Sequence, residues 1–522
     1  MKSVLWIFFC ACLAVAARCH DVRQVFVNHA VYLKDPGGYA RLIRVRGLES
    51  ALAETVSGPG FEKAPVVAES LPLDALVLGL KKTINGLLLG LDPNHLSVLR
   101  GQELDLAGAL IAPLLALLTC VLLGFWARCA APSRWSAAAL PFLFAVSPLV
   151  AHGALLGAPD DGTLLLAALA VGLASEFRLT SLPSRPWMIS GGAAWALALW
   201  VSWQESLVLM GTVVLFWAAF HPRGLLSRER WPWLLAFCLL GSCAIAARTW
   251  ALPDSSSTLH SLRGGAGSEW ASGFGGVAGW VGAGLLVSPV LLAVAGRRDR
   301  RAWAGLLLLV LAAVAQYGLG WGRHWVEIGC LLFLMSLPWM LEVFGRPWVG
   351  WGLLGISLWP LASMWDRILY PEDEARQYAL QQGVERSLLR DVGLRMRSGP
   401  PGKFLAPWWL SPPLAYWSGQ SALTGGGRLN GPGVLDSARF YLSASHEQAQ
   451  PLAERAEIRW IVADEPARVV EDSRQWLGGE VPETPLARAL MDRPHSVAPW
   501  LKPVFANQFF KLFLVQPHNI AP

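Results

Sequence analysis

The sequence predicts an α-helical polytopic membrane protein of about 11 spans, followed by a mixed α/β domain at the C-terminal end. Three observations predict it. Of 522 residues, 54% are hydrophobic and only 15% charged, whereas soluble domains carry roughly 25% charged residues. Charge-free apolar stretches recur at 3–17, 106–127, 135–159, 162–175, 186–204, 206–222, 231–247, 270–296, 302–322, 328–341 and 347–365. From residue 366 onward the chain carries charge throughout, and its apolar runs shorten to strand length, as in Ile458-Arg-Trp-Ile-Val-Ala463.

A span needs about 20 residues, so 162–175 and 328–341 cross only if Glu176, Arg178, Glu327 and Glu342 reach the interfaces. The first stretch follows Lys2 and ends in Ala14, Ala16 and Ala17, so it also reads as a cleavable signal peptide. With Lys2 inside, thirteen Lys and Arg fall in the inner short loops, against Arg248, Arg263 and Arg323 outside. Such asymmetry marks the inner side. The expected organisation is a membrane domain over 1–365, with a large first outer loop at 18–105, and an extracytoplasmic domain over 366–522. Within that loop, 71–99 is apolar but interrupted by Lys81-Lys82 and Asn85-Gly86. An interfacial helical hairpin is expected there. In the tail, helices are expected at 373–397 and 446–457.

Several classes are excluded. The eight cysteines lie almost wholly in apolar runs, with none beyond 330, so neither a disulfide framework nor a cysteine zinc site is readable. The net charge of +6 is split among short clusters, so no nucleic-acid partner is expected. No phosphate-binding Gly-x-x-x-x-Gly-Lys, His-Glu-x-x-His or nucleophile elbow occurs.

Chemistry is sought at helix ends on the outer face, where carboxylates can hold a hard divalent cation or act on an acceptor. Two clusters qualify: Asp35-Pro-Gly-Gly-Tyr-Ala-Arg41 and Gly157-Ala-Pro-Asp160-Asp161-Gly162. Each is equally readable as a solvated helix-end carboxylate or cap. Arg323, in Trp321-Gly-Arg-His-Trp325, is either an interfacial arginine between Trp anchors or a partner for an anion. Glu269 closes the Gly/Ser-rich loop 248–275. The remaining histidines and the membrane tryptophans read as packing or interface residues.

The order of these motifs resembles the catalytic subunit of oligosaccharyltransferases within the GT-C membrane glycosyltransferases, as a divergent, bacterial-type member. The match consists of a first outer loop with Asp-Pro-x-x-Tyr-x-Arg and a short outer loop with Ser147-Pro148, His152-Gly153, Gly157 and Asp160. In the tail, Trp408-Trp409 and the run through Gly419, then Asp436 to Phe440 and Glu457 onward, resemble that family's Trp-Trp-Asp-Tyr-Gly signature, the strand after it and the following helix and strand. The resemblance implies Asp35 as metal ligand and acceptor-engaging catalytic group, Asp160 as metal ligand and Asp161 as a further one. It implies Glu269 as a catalytic carboxylate on a flexible loop, Arg323 as contact to the donor phosphate, and Trp408 and Trp409 as substrate-binding. Gly162 stands where the second acid of an Asp-x-Asp pattern would be. Leu410-Ser411-Pro412 replaces Asp-Tyr-Gly.

These readings lead to an integral membrane glycosyltransferase of a bacterial inner membrane. It would use a divalent cation (Mg2+ or Mn2+) and transfer a sugar or oligosaccharide from a polyprenyl-(di)phosphate donor to a protein, glycan or lipid acceptor on the extracytoplasmic face. The alternative is a degenerate, non-catalytic envelope scaffold or transport protein of the same fold.

Overall fold

The computed structural model describes residues 2–57, 68–90, 101–131, 133–179, 184–220, 230–250, 284–319, 324–426, 430–478 and 481–516. Glu269 and Arg323 lie outside these residues. Among the described residues, five helices are long and apolar enough to cross a membrane: Glu103–Ala130, Asp161–Leu179, Trp203–Phe220, Trp231–Arg248 and Trp325–Glu342. Shorter apolar helices at Val4–Arg18, Arg134–Val146 and Gly284–Gly296 pack among them.

Helix breaks follow local chemistry. The apolar stretch 135–159 is divided: Arg134–Val146 ends at Ser147, and Pro148 opens a short helix to His152, a position where its missing N–H is not needed. The stretch 347–365 is likewise two helices, Pro347–Ser357 and Trp359–Leu369, each with proline in its first turn. The segment expected to form a hairpin at 71–99 is instead one helix, Leu71–Gly90, over its described part. Asn85-Gly86 does not interrupt it, since one glycine costs a helix only about 1 kcal/mol, and packing against Glu103–Ala130 compensates.

Two helices organise the bundle. Glu103–Ala130 packs against Lys2–Arg18, Leu71–Gly90, Arg134–Val146 and Asp161–Leu179. Trp325–Glu342 is buried along nearly its whole length and packs against Gly284–Gly296, Arg300–Ala313 and Arg134–Val146. The first helix is integral to this packing: Trp6 donates to the Ala138 carbonyl at 3.1 Å, and the fully buried Arg18 donates to the Ala14, Ala145 and Phe144 carbonyls.

The tail holds a four-stranded sheet in the order Lys403–Leu405, Ile458–Ala463, Lys511–Val515, Leu501–Ala506. The first pair is parallel and the others antiparallel. The parallel crossover carries helices Ser411–Ser418, Gly431–Leu442 and His446–Arg455, as a parallel pair requires a long connection. Phe404, Trp460, Ile461, Leu512 and Phe513 form its buried centre. The long helix Asp373–Arg397 matches the expected 373–397.

Candidate active site

The loop between the helices Lys2–Arg18 and Pro36–Ser57 is built to fix Asp35. A short hairpin pairs Phe26 with Val31 and Val27 with Ala30. Its tip residues Asn28 and His29 sit at φ 47° and 62°, as a two-residue turn of the I′ kind demands. Gln102 braces it, accepting from Val31 N at 2.9 Å and donating to the His29 carbonyl at 3.0 Å. The chain then passes Lys34, whose backbone N–H donates to the Gly157 carbonyl at 2.8 Å. Gly157 has φ 79°, and a side chain there would strike Val25 at 2.8 Å, so this meeting of the two loops needs glycine. Asp35 follows, directly before the helix Pro36–Ser57, with its carbonyl accepting from Gly38 N at 3.0 Å.

Arg41, on that helix, joins the two acidic clusters. Its Nε donates to the Pro159 carbonyl at 3.1 Å, one terminal nitrogen pairs with Asp161 Oδ2 at 2.8 Å and the other with Asp74 Oδ1 at 2.7 Å. Asp74 is further held by Arg44 at 3.0 Å and Ser70 at 3.1 Å. Burial alone would lower the Arg41 pKa, but the Asp161 and Asp74 carboxylates raise it above the ordinary arginine value. The guanidinium is therefore a permanent charge that ties the first loop, the helix Leu71–Gly90 and the loop before Asp161–Leu179 together.

The structure therefore brings the loops that carry Asp35, Asp160 and Asp161 together. Asp161 is the first residue of its helix and an ion-pair partner of Arg41. Asp160 turns toward Gly162: a Cβ there would lie 2.9 Å from Asp160 Oδ2 and 3.0 Å from His324 Nδ1. His324 caps the start of Trp325–Glu342, and its backbone N–H donates to Glu205 Oε1 at 3.4 Å. From the sequence, histidine at this point reads as a packing or interface residue. Among the described residues, no group of three or more His, Cys, Asp or Glu side chains is gathered as a metal would require. Asp160 and the His324 ring both face the space above Gly162.

A second cluster flanks the mouth. Lys34 Nζ pairs with Asp21 Oδ2 at 2.6 Å, and His20 Nε2 lies 3.1 Å from the same oxygen. Burial alone would raise Asp21, but the bonds from His20 and Lys34 hold its carboxyl well below the usual range.

In the tail, the Trp pair is followed by the helix Ser411–Ser418, not the strand expected. Pro412 and Pro413 occupy its first turn, where missing N–H groups cost nothing. Trp408 and Trp409 stand edge-to-face at 6.0 Å. Trp408 Nε1 donates to both Asp472 oxygens at 3.1 Å, and Trp409 Nε1 to Asp464 Oδ2 at 3.2 Å. Leu410 is buried, and the Ser411 hydroxyl is spent on the Ala406 and Pro407 carbonyls. The end of the short helix docks on the first loop: Trp417 meets Tyr39 at 4.9 Å and Tyr32 at 6.1 Å, while Arg46 stacks on the Tyr416 ring at 3.7 Å. The segment after the Trp pair thus contacts the helix that starts at Asp35.

No family model and no curated protein matches the chain. Solved structures do. The archaeal oligosaccharyltransferase AglB from Archaeoglobus fulgidus, in complex with an inhibitory peptide and a dolichol-phosphate, overlaps 94% of this chain with 72% of its own at TM-score 0.62 and 13% identity. The Archaeoglobus fulgidus oligosaccharyltransferase tethered to an acceptor peptide containing the NVT sequon overlaps 89% with 69% at TM-score 0.59 and 13% identity. Its complex with Zn and sulfate gives 88%, 68%, 0.56 and 12%. At such identities the likeness is one of architecture, and on that evidence this chain has the fold of membrane oligosaccharyltransferases.

Proposed function

We propose that the protein is a membrane glycosyltransferase that transfers a sugar or oligosaccharide from a polyprenyl-(di)phosphate donor to an acceptor on the extracytoplasmic face of a bacterial inner membrane. One observation carries the reading: Arg41 clamps the two acidic outer loops into a single mouth that the tail reaches through Tyr39 and Trp417. The oligosaccharyltransferase fold supports it.

In this reading Asp35 and Asp160 hold a divalent cation, Mg2+ or Mn2+, which supplies charge stabilisation to the leaving phosphate. Arg323 adds a guanidinium for the donor phosphate. Asp35 takes the proton of a hydroxyl acceptor, and Glu269 is a second catalytic carboxylate. Asp161 contributes by holding Arg41, so that both loops keep their places. Trp408 and Trp409 form the acceptor-side wall. Acceptor choice departs from an Asn-x-Ser/Thr rule, because Leu410 and Ser411 are turned inward and offer no group to a substrate hydroxyl.

The test uses full-length protein in lipid nanodiscs with native lipid-linked donors and two peptides, one with Asn-x-Ser and one with Ala in place of the Ser. Asp35→Ala and Asp160→Ala are each expected to lower transfer at least about a hundredfold. The wild type should not favour the sequon peptide. Full activity in both variants would overturn their roles as ligands, no transfer by the wild type would favour the non-catalytic scaffold, and strict sequon dependence would overturn the acceptor reading alone.

A further inference from the structure

The end of the bundle away from the mouth gathers positive charge beside an apolar crevice. The helix Asp161–Leu179 begins at the mouth, and Glu176 lies about 22 Å further along it. There Glu176 pairs with Arg230 at 3.0 Å, and the Arg230 guanidinium lies 4.4 Å from the centre of the Trp217 ring. At the start of the helix Arg300–Ala313, Asp299 pairs with Arg301 at 2.7 Å. Each of these two carboxylates is matched by one arginine, and Arg297, Arg298 and Arg300 stand exposed beside them.

The crevice runs toward Arg300. Its walls include Phe177 from Asp161–Leu179, Phe216 and Trp217 from Trp203–Phe220, and Ala304, Leu307 and Leu308 from Arg300–Ala313. Positions 300, 304, 307 and 308 share one face of their helix, so Arg300 stands one turn beyond the wall that Ala304 begins. The facing wall continues the same way: the Phe220 ring lies 4.8 Å from that of Phe216, and the Arg300 guanidinium lies 5.9 Å from the Phe220 ring centre, within reach of a cation–π contact. Leu307 is 46% exposed. The crevice therefore opens on the side of the bundle, beside two helices long and apolar enough to cross a membrane.

In a bilayer a lateral crevice is filled by the nearest acyl chain, so the headgroup decides which lipid stays. A guanidinium suits phosphate through its planar fork, and basic pockets between membrane helices take anionic headgroups. We propose that this crevice seats an anionic phospholipid from the leaflet opposite the mouth, with one acyl chain between Trp217 and Leu308 and the phosphate on Arg300. Arg297 and Arg298 add attraction at the same surface. Arg230 neutralises the carboxylate in the crevice wall, so Glu176 does not repel the phosphate. The site is independent of the transfer reaction proposed above.

The experiment holds full-length protein in nanodiscs of phosphatidylglycerol and phosphatidylcholine in equal amounts and with the same acyl chains. Native mass spectrometry then counts the lipids that stay bound on release. The wild type is expected to retain phosphatidylglycerol at least about tenfold over phosphatidylcholine. Arg300→Gln should lower that preference about fivefold, and Arg300→Lys should keep most of it, which separates loss of charge from loss of fold. Leu307→Trp, at the exposed rim, covers the crevice without altering its charge and should lower phosphatidylglycerol retention by a similar factor. Equal retention of the two lipids by the wild type, or an unchanged preference in Arg300→Gln, overturns the headgroup site. A lysine that fares no better than the glutamine does so too, since charge then does not select the lipid. Unchanged retention in Leu307→Trp overturns the seat of the acyl chain.

Discussion

The mouth around Arg41 and the Trp shelf of the tail both hold carboxylates, and they do so by different means. At the mouth, Asp161 and Asp74 meet the guanidinium of Arg41 at 2.8 and 2.7 Å. In the tail, Asp464 and Asp472 accept from the indole N–H groups of Trp409 and Trp408, at 3.2 and 3.1 Å, and Asp464 also from the Glu465 backbone N–H. The Arg468 guanidinium near them lies over the Trp409 ring at 4.8 Å and pairs with Glu385. A guanidinium fork fixes charge and direction at once, whereas a neutral donor fixes direction and leaves the charge to burial. The consequence differs for each region: at the mouth the carboxylates raise Arg41 above the ordinary arginine value, while burial pushes the Asp464 carboxyl up to about 6. The proposed function, which places a cation and a sugar phosphate at the mouth, needs the first kind of construction.

The largest expected effect tests the lock at the mouth. Arg41→Met leaves Asp74 and Asp161 without their shared partner, and breaking a buried pair from one side costs about 3–5 kcal/mol. Hydrogen exchange of the segments around 36–52 and 155–165 should show that loss as faster amide exchange. Arg41→Lys should recover only part of it, since an ammonium supplies the charge without the fork. Unchanged protection in Arg41→Met would erase the contrast between the two regions.

Asp464 comes next. An ordinary aspartate titrates near 3.8, and the folded carboxyl here near 6. Between those values the folded tail retains a proton that the unfolded chain has released. Its stability therefore falls as pH rises from about 4 to about 6 and falls no further above that, by about 2–3 kcal/mol in all. Asp464→Asn should flatten the dependence. Exchange protection of Ile458–Ala463 across pH 4 to 8, corrected for intrinsic rates, reads it directly. An unaltered pH profile in the variant would assign the dependence to another group.

The sequence made much of the scaffold legible because its signals are local. Ile458–Ala463 is a strand over the same residues that its apolar run spans, and Asp373–Arg397 is one helix as its composition suggests. Helix breaks at Ser147-Pro148 and Leu358 were lost inside apolar runs, because hydropathy does not record where a backbone bond is given up. The site was legible only in part. Asp35 and Asp160 stand out by motif, but Arg41 was seen as a motif letter and not as the clamp between loops. His324 and Asp160 are joined only by three-dimensional packing, and the one trace of it in the sequence is glycine where an acid was expected. Asp464 and Asp472 were equally hidden, since each reaches its indole from beyond the parallel crossover.

The smallest effect concerns the indoles, and it separates the two carboxylates of the tail from one another. Trp408→Phe keeps the edge-to-face pair but removes the donor to Asp472. Asp472 is half-buried, so water can replace the lost bond and the cost should stay near about 1 kcal/mol. Trp409→Phe removes the donor to Asp464, which is buried and beyond easy reach of water. Because Asp464 holds its proton below about 6, the lost N–H matters most once the group is ionised. Trp409→Phe should therefore destabilise the tail more at pH 8 than at pH 5, and more than Trp408→Phe does at pH 8. Exchange protection of the strand Ile458–Ala463 and the helix Pro466–Leu477, measured for both variants at both pH values, decides it. Equal losses at pH 5 and pH 8 in Trp409→Phe would mean that the indole serves Asp464 only as packing and that burial alone sets its titration.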